Sequence, residues 1–383
     1  MKIAFHAPLK SPDHPVPSGD RQLARALLQA LRAGGHDVSV ASRFRSFDGA
    51  GNAARQARLA ELGARIAQRL VARYRRTADR PDIWFTYHVY HKAPDWLGPA
   101  VTRALGIPYV LAEASIADKR RDGAWASGHA AALAAVRSAD AVICLNPADV
   151  AGVRRVRGNL DATDVMPPFL DVDAFRQCAL PAPRPAGAHA RVQMIAVAMM
   201  RQRAKLASYR VLAAALARVR YAAWELTIVG DGPARAEVEA AFAGLGAHRV
   251  HFAGAMSSAE VAAELGRSDL FVWPAVDEAF GMAFIEAQAC GLPVVGGNAG
   301  GVAAVVDDGR TGLLVAAGSA DAFAAAAERM LRDAPLRLQM GREARAYVRS
   351  RHDLPAAAAR LDAVLRRVAA ARAANASAAA VAT

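Results

Sequence analysis

Two glutamates with seven residues between them, Glu278 and Glu286, are the side chains of this 383-residue sequence whose placement most directly suggests chemistry. They lie in Trp273-Pro-Ala-Val-Asp-Glu-Ala-Phe-Gly-Met-Ala-Phe-Ile-Glu-Ala-Gln-Ala-Cys-Gly-Leu-Pro-Val-Val, and between Ala279 and Val306 Glu286 is the only charged residue. The apolar spacing predicts a strand ending at Trp273, a loop carrying Glu278 and Phe280, and a helix from about Gly281 to Cys290 stopped by Gly291 and Pro293. Glu286 then sits about one turn inside that helix, where an unbonded carboxylate is costly to bury. Two neighbouring ribose hydroxyls would satisfy it, because one carboxylate can accept from both. The helix start at Gly281–Phe284 offers free N–H groups and a positive dipole end suited to phosphate or sugar oxygens.

Basic residues form a second pattern. The formal net charge is +13, which suggests an anionic partner: nucleic acid, acidic lipid or a phosphorylated substrate. At ~100° per residue, Arg55, Arg58, Arg65, Arg69, Arg73 and Arg76 fall on one side of a helix, beside the apolar line Leu59, Leu62, Ile66 and Leu70. Such a face is either solvated or docks on anionic headgroups. Arg201, Arg203 and Lys205 form a basic turn, and His88 and His91 stand among Tyr87, Tyr90 and Trp96, an environment fit for a buried histidine or a catalytic one. Cys144, Cys178 and Cys290 have no metal-site spacing and read as small buried residues in a reducing compartment.

The elements that position these residues follow a βα rhythm. Ile3–Ala7, Val38–Ala41, Ile83–Tyr87, Tyr109–Ala112 and Ala141–Leu145 read as buried strands with helices between, the first helix being marked by Leu23, Ala24, Leu27, Leu28 and Leu31. The Pro- and Gly-dense stretch 180–190 reads as a linker. After it the rhythm restarts at Val192–Met199, Glu225–Val229, Arg249–Phe252, Leu270–Trp273 and Val294–Val295. The fold class is α/β, with two doubly wound sheets expected to bind ligand at the carboxyl ends of their strands and in a cleft between them. The expected boundaries are an N-terminal domain over 1–185, a C-terminal domain over 190–350, a last helix over 351–368 and a disordered tail over 369–383. No stretch reaches the ~18 apolar residues of a spanning helix, and the amino-terminal apolar run is too short for a signal peptide. A cytoplasmic location is therefore expected.

With Gly281 after the first glutamate and Ala-Cys-Gly-Leu-Pro-Val-Val after the second, the pair resembles the E-x7-E signature of family 4 retaining glycosyltransferases, enzymes of the GT-B fold. Val229-Gly-Asp-Gly-Pro, Ser268-Asp-Leu-Phe-Val, Gly300-Gly301-Val302 and Asp308-Gly-Arg-Thr-Gly-Leu-Leu-Val resemble further motifs of that family in order and spacing, the last of these as a donor-side loop. The resemblance implies two Rossmann-like domains with a C-terminal helix crossing back, a nucleotide-sugar co-substrate and no metal or other cofactor. By the same resemblance Glu278 contacts the donor sugar beside the backbone of Phe280, Gly281 and Met282, and Glu286 holds the ribose. Arg201 and Lys205 neutralise the diphosphate, Gly19 lets backbone approach it, and His88 lies near the reacting sugar with His91 as competitor. The sequence departs from the family where Met199-Met200 precede Arg201, so that Arg203 can share the role. It departs also at Ala303-Ala304, in place of the usual Pro-Glu, and at Ala112-Glu113-Ala114-Ser115, in place of a second histidine. Glu113 is a candidate acceptor contact, and Phe252 to Gly254 lie near the base or simply end a strand.

The implied function is metal-independent, retaining transfer of a hexosyl group from a nucleotide sugar to a glycan or lipid-linked acceptor, in bacterial cell-envelope or polysaccharide biosynthesis. The arginine helix would place such an enzyme peripherally on the inner membrane face. Two other readings stay open: a GT-B nucleotide-sugar epimerase or hydrolase, and a non-enzymatic basic protein. Nucleic acid is not an expected partner, because the exposed aromatics and motifs of such modules are missing.

Overall fold

The apolar runs and amphipathic segments fold into two α/β units in the computed structural model, which describes residues 1–16, 18–158, 163–178, 191–278 and 281–381. One unit comprises 1–166 together with 354–383, the other 167–353. Six strands build the first: β1 (Lys2–His6), β2 (Asp37–Ser42), β3 (Ile83–Tyr90), β4 (Tyr109–Ser115), β5 (Ala141–Cys144) and β6 (Thr163–Val165). Their order is β2-β1-β3-β4-β5-β6, parallel throughout. The second unit contains β7 (Val192–Val197), β8 (Trp224–Val229), β9 (Val250–Gly254), β10 (Leu270–Trp273), β11 (Val294–Asn298) and β12 (Gly312–Ala316). These are ordered β12-β11-β10-β7-β8-β9 and are also parallel.

Helices cover both faces of a parallel sheet, so the central strands are apolar without alternation; β10 and β5 are buried at every position. In each unit the direction of winding reverses once, between β1 and β3 in the first sheet and between β7 and β10 in the second. Crevices at the carboxyl ends of such strand pairs are where doubly wound sheets hold ligands. Each is flanked by a helix that starts just after the leading strand: Gly19–Ala33 after β1 and Ala204–Leu216 after β7. The first of these is capped by Ser18, whose side chain accepts from Arg21 N at 3.2 Å, and it buries the expected Leu23, Ala24, Leu27, Leu28 and Leu31.

Several expected boundaries are corrected. The units divide at Met166/Pro167 rather than near 185. The reason is local: Leu170 N donates to His352 O at 3.0 Å and His352 Nδ1 lies 2.7 Å from Pro168 O, tying 168–170 to the end of the second unit. The chain from Leu354 is one helix to Val381, so the segment expected to be disordered from Ala369 continues the helix; its alanine-rich composition favours that. Leu361, Val364, Leu365 and Val368 are buried, and His36 Nε2 lies 3.2 Å from Asp362. Strands β3 and β4 run three residues further than the apolar pattern indicated, and the donor-side loop expected at 308–315 contains β12. Cys144 is buried, whereas Cys290 is only half-buried. Both thiols are free and pushed up to about 12 by burial. The linker at 180–190 and the side chain of Cys178 lie outside the described residues.

Candidate functional site

At the reversal point of the second sheet, the loop after β7 meets the loop after β10. Lys205, in the first turn of Ala204–Leu216, places Nζ 2.5 Å from Oε2 of Glu278 and 5.5 Å from the Trp273 ring centroid. Trp273 Nε1 donates to the same carboxylate oxygen at 3.2 Å. The pair is partly covered, with side-chain exposures of 26% for Lys205 and 17% for Glu278. Ser208 and Tyr209, on the Lys205 face of the helix, fix both loops: Val276 N donates to Ser208 Oγ at 3.0 Å, and Tyr209 OH donates to Ala198 O at 2.7 Å. The Tyr209 ring also meets Trp273 edge-on at 4.9 Å. Neither Ser208 nor Tyr209 was singled out from sequence, although their i+3 and i+4 spacing from Lys205 is a usable signal.

Three non-glycine residues here, Arg203, Ala275 and Asp277, have φ of 66°, 52° and 58°. Left-handed backbone at such residues is sparsely populated, and its concentration around Lys205 and Glu278 marks a loop pair held in a demanding shape. Gly230 and Gly232 explain how the next loop fits. At φ of 141° and 153°, a Cβ on either would overlap a backbone carbonyl, Ala198 O or Met200 O, so the β8 loop lies directly on the β7 loop. Met200 N donates to Asp231 O at 2.9 Å across the same seam.

Glu286 lies in the helix Met282–Ala289, which begins at Gly281 with φ 68°. Phe284 N is already bonded to Gly281 O at 2.9 Å, leaving the N–H groups of Met282 and Ala283 without a partner among the described residues. Glu286 is half-buried and its carboxyl finds no hydrogen-bond donor among the described residues; burial pushes it up to about 7. Gln288 holds the helix in place through Nε2, donating to Phe284 O at 3.1 Å and Val305 O at 2.7 Å. Arg201 and Arg203 are exposed and have no acidic partner among the described residues. Phe280 lies outside the described residues. Phe252 and Ala253 pack against the core as a strand end, the plainer of the two readings.

In the first unit, Gly19 opens its helix, and a Cβ there would meet no atom within 4 Å, so the space beside it is open. Asp20, the next residue, brings Oδ1 to 3.2 Å from His88 Nδ1. His88 ends up within β3, not after it, with φ 64° and rings of Tyr87 and Tyr90 at 5.6 and 5.1 Å. Glu113 is buried in β4 with φ 67°, and Leu145 N donates to its Oε2 at 3.1 Å. Burial holds Glu113 and the neighbouring Asp149 above the usual carboxylate range. His91 is driven down to about 4 by burial and by Arg120 and Lys92, which keeps it neutral at pH 7.

The arginine pattern forms the helix Ala53–Arg76. Arg55, Arg58, Arg65, Arg69, Arg73 and Arg76 are all exposed, and none pairs with an acid among the described residues. Leu62, 39% exposed, lies in the same arc, while Gly63, Ala67, Leu70 and Tyr74 face the core. Among the described residues no helix is long and apolar enough to cross a membrane, and no group of three His, Cys, Asp or Glu side chains is placed to hold a metal ion.

Residues 191–333 match the family model described as glycosyl transferases group 1. A D-inositol 3-phosphate glycosyltransferase of Arthrobacter sp. (strain FB24) is 34% identical over 217 residues, which are 55% of this chain and 51% of that protein. The chain thus matches about half the length of that relative. An N-acetyl-alpha-D-glucosaminyl L-malate synthase of Bacillus anthracis is 36% identical over 125 residues, 32% of each chain. Among solved structures, Anabaena HepE in complex with UDP aligns over 96% of this chain and 100% of its own with TM-score 0.71 and 18% identity. That likeness shows the fold, the α/β GT-B architecture of two Rossmann-like units.

Proposed function

We propose that this chain, whose residues 191–333 match the family model of group 1 glycosyl transferases, moves a hexosyl group from a nucleoside-diphosphate sugar held by its second unit to an acceptor hydroxyl held by its first. The observation that carries the reading is the Lys205–Glu278 pair at the reversal point of the second sheet, with the Glu286 carboxyl, which has no hydrogen-bond donor among the described residues, on the helix that follows. A ribose presenting two hydroxyls gives Glu286 the donors it lacks. Lys205, with Arg201 and Arg203 beside it, offers cationic charge to a diphosphate, and Glu278 offers a carboxylate to the sugar hydroxyls.

In the transfer the bond from the anomeric carbon to the diphosphate oxygen breaks and a bond to the acceptor oxygen forms. The acceptor proton passes to the leaving phosphate, whose growing negative charge is stabilised by the fixed cations, without a metal. Retention of anomeric configuration is part of the proposal. So is a glycan or lipid-linked acceptor of cell-envelope or polysaccharide biosynthesis, reached from the cytoplasmic face of a membrane through the exposed arginines of Ala53–Arg76. His88, 3.2 Å from Asp20, is assigned to the neighbourhood of the reacting sugar.

The experiment is a thermal-shift panel of UDP-, GDP- and ADP-sugars, followed by NMR of the product formed with the donor that binds. A bound donor raises the melting temperature with the logarithm of its concentration over its Kd. Transfer with retained configuration supports the reading. Sugar release or rearrangement without acceptor would instead indicate an epimerase or hydrolase, and failure of every nucleotide sugar to bind would overturn it.

A further inference from the structure

Around Trp125, at the carboxyl edge of the first sheet, the cations Lys92 and Arg120 converge on one ring, neither paired with an acid among the described residues. Lys92 Nζ lies 5.0 Å from the indole centroid and the Arg120 guanidinium carbon 4.9 Å from it, two cations on one ring. The indole is pinned by its own Nε1, which donates to Asp48 O at 3.1 Å, and His91 meets it edge-on at 5.7 Å. Gln56 closes the frame from the helix Ala53–Arg76: its Nε2 donates to Asp48 Oδ2 at 2.9 Å and Ala124 O at 2.8 Å, and its Oε1 accepts from Gly128 N at 3.3 Å. Lys92, Lys119 and Arg120 have no acidic partner among the described residues.

Three buried nitrogens of this cluster also lack hydrogen-bond partners among the described residues: Nε2 of His91, Nε2 of His129 and Nε of Arg120. His129 is only 2% exposed, one residue after the glycine whose backbone packs on His91 O. The charged groups that face His91 are Arg120, Lys92, His129 and Lys119, all of which disfavour its protonation. His129 is faced by Asp118, Arg121 and Asp122, of which Asp118 is already engaged by Arg155 at 2.6 Å. Cations without an acidic partner beside buried nitrogens without a hydrogen-bond partner are an arrangement that an anion completes.

We infer that Lys92, Arg120, His91 and His129, framed by Trp125, form a binding site for a phosphate-type dianion, the anchor for a phosphorylated acceptor. Naming the anion as an acceptor's phosphate rests on the glycosyl-transfer reading, whereas the anion site itself does not. A bound phosphate stabilises protonated imidazole, so the titration of His91 moves upward when the site fills.

The test is NMR titration of the histidine side chains in the full chain, with inorganic phosphate against chloride at equal ionic strength. Phosphate is expected to raise the His91 titration midpoint and shift His129. R120Q should weaken phosphate binding about tenfold and R120K should restore most of it. Unmoved imidazoles, or equal phosphate affinity in R120Q, overturn the site. Vesicles of phosphatidic acid in place of phosphate separate the sources: imidazole shifts with both probes indicate a lipid-borne phosphate, and shifts with inorganic phosphate alone indicate a soluble one. Donor binding measured on the same R120Q sample should be unchanged, so loss of nucleotide-sugar binding in the wild type would sink the glycosyl-transfer reading and leave the anion site standing.

Discussion

Glu286 carries a pH signature that bears directly on nucleotide binding. Its carboxyl, held up at about 7 by burial, is largely protonated below neutrality, whereas ribose hydroxyls bind the ionised form. Nucleotide affinity should therefore rise between pH 6 and 8, by up to about tenfold per unit below the free-state value, and E286Q should flatten that dependence in calorimetric titrations. The unliganded fold gives the opposite sign. The folded carboxyl titrates above its unfolded value, so the fold loses stability as pH rises from the usual carboxylate range through about 7. At pH 8 E286Q should stabilise the free protein by on the order of 2 kcal/mol in denaturant melts, and by nothing at pH 4. Both glutamates were legible in the sequence because a lone charge in an apolar stretch has few structural explanations. Ser208 and Tyr209 were not, because a serine and a tyrosine on a helix look ordinary until the fold lays a loop against them.

The loop after β8 sets a stricter condition than composition suggests. G230A and G232A each drive a Cβ into a carbonyl and demand φ values that only glycine adopts easily. Each should cost more than about 2 kcal/mol of stability or displace the loop that carries Arg201 and leads into Lys205, to be read as a fall in melting temperature and a matching loss of donor affinity. G19A, with open space around its Cβ, should leave the melting temperature within a degree or two of wild type. Apolar runs revealed most strands, since a parallel sheet covered on both faces requires them. They missed the ends of β3 and β4, where His88 and Glu113 interrupt the pattern with polar groups. Glu113 is buried and His88 half-buried beside Asp20, a tertiary fact no local window contains. The short edge strand β6 was missed for a related reason: an edge strand needs little apolar sequence.

Two features belong to the chain as a whole. The C-terminal helix Leu354–Val381 returns to the first unit, where Leu361 and Leu365 are fully buried. L361A should remove roughly 2–5 kcal/mol of stability from a chain whose second unit contains no part of that helix. The sequence indicated the helix but not its length, because a run of Ala and Ser has no apolar stripe to follow. Much of the surplus of thirteen positive charges is concentrated in the arginine helix, the Trp125 cluster and the turn at Arg201–Lys205. Replacing Arg65, Arg69 and Arg73 by Glu should abolish sedimentation with phosphatidylglycerol vesicles, each arginine contributing ~1 kcal/mol, without changing donor affinity. The most direct measurement is calorimetric titration of UDP-, GDP- and ADP-glucose into the wild type, K205A and E286Q at pH 8. The expected result is that at least one nucleotide sugar binds the wild type and binds K205A about 10- to 100-fold more weakly, with a smaller loss in E286Q. Equal affinity in all three proteins, or no binding to the wild type by any of the donors, would contradict the assignment of Lys205 and Glu286 to a nucleotide-sugar site.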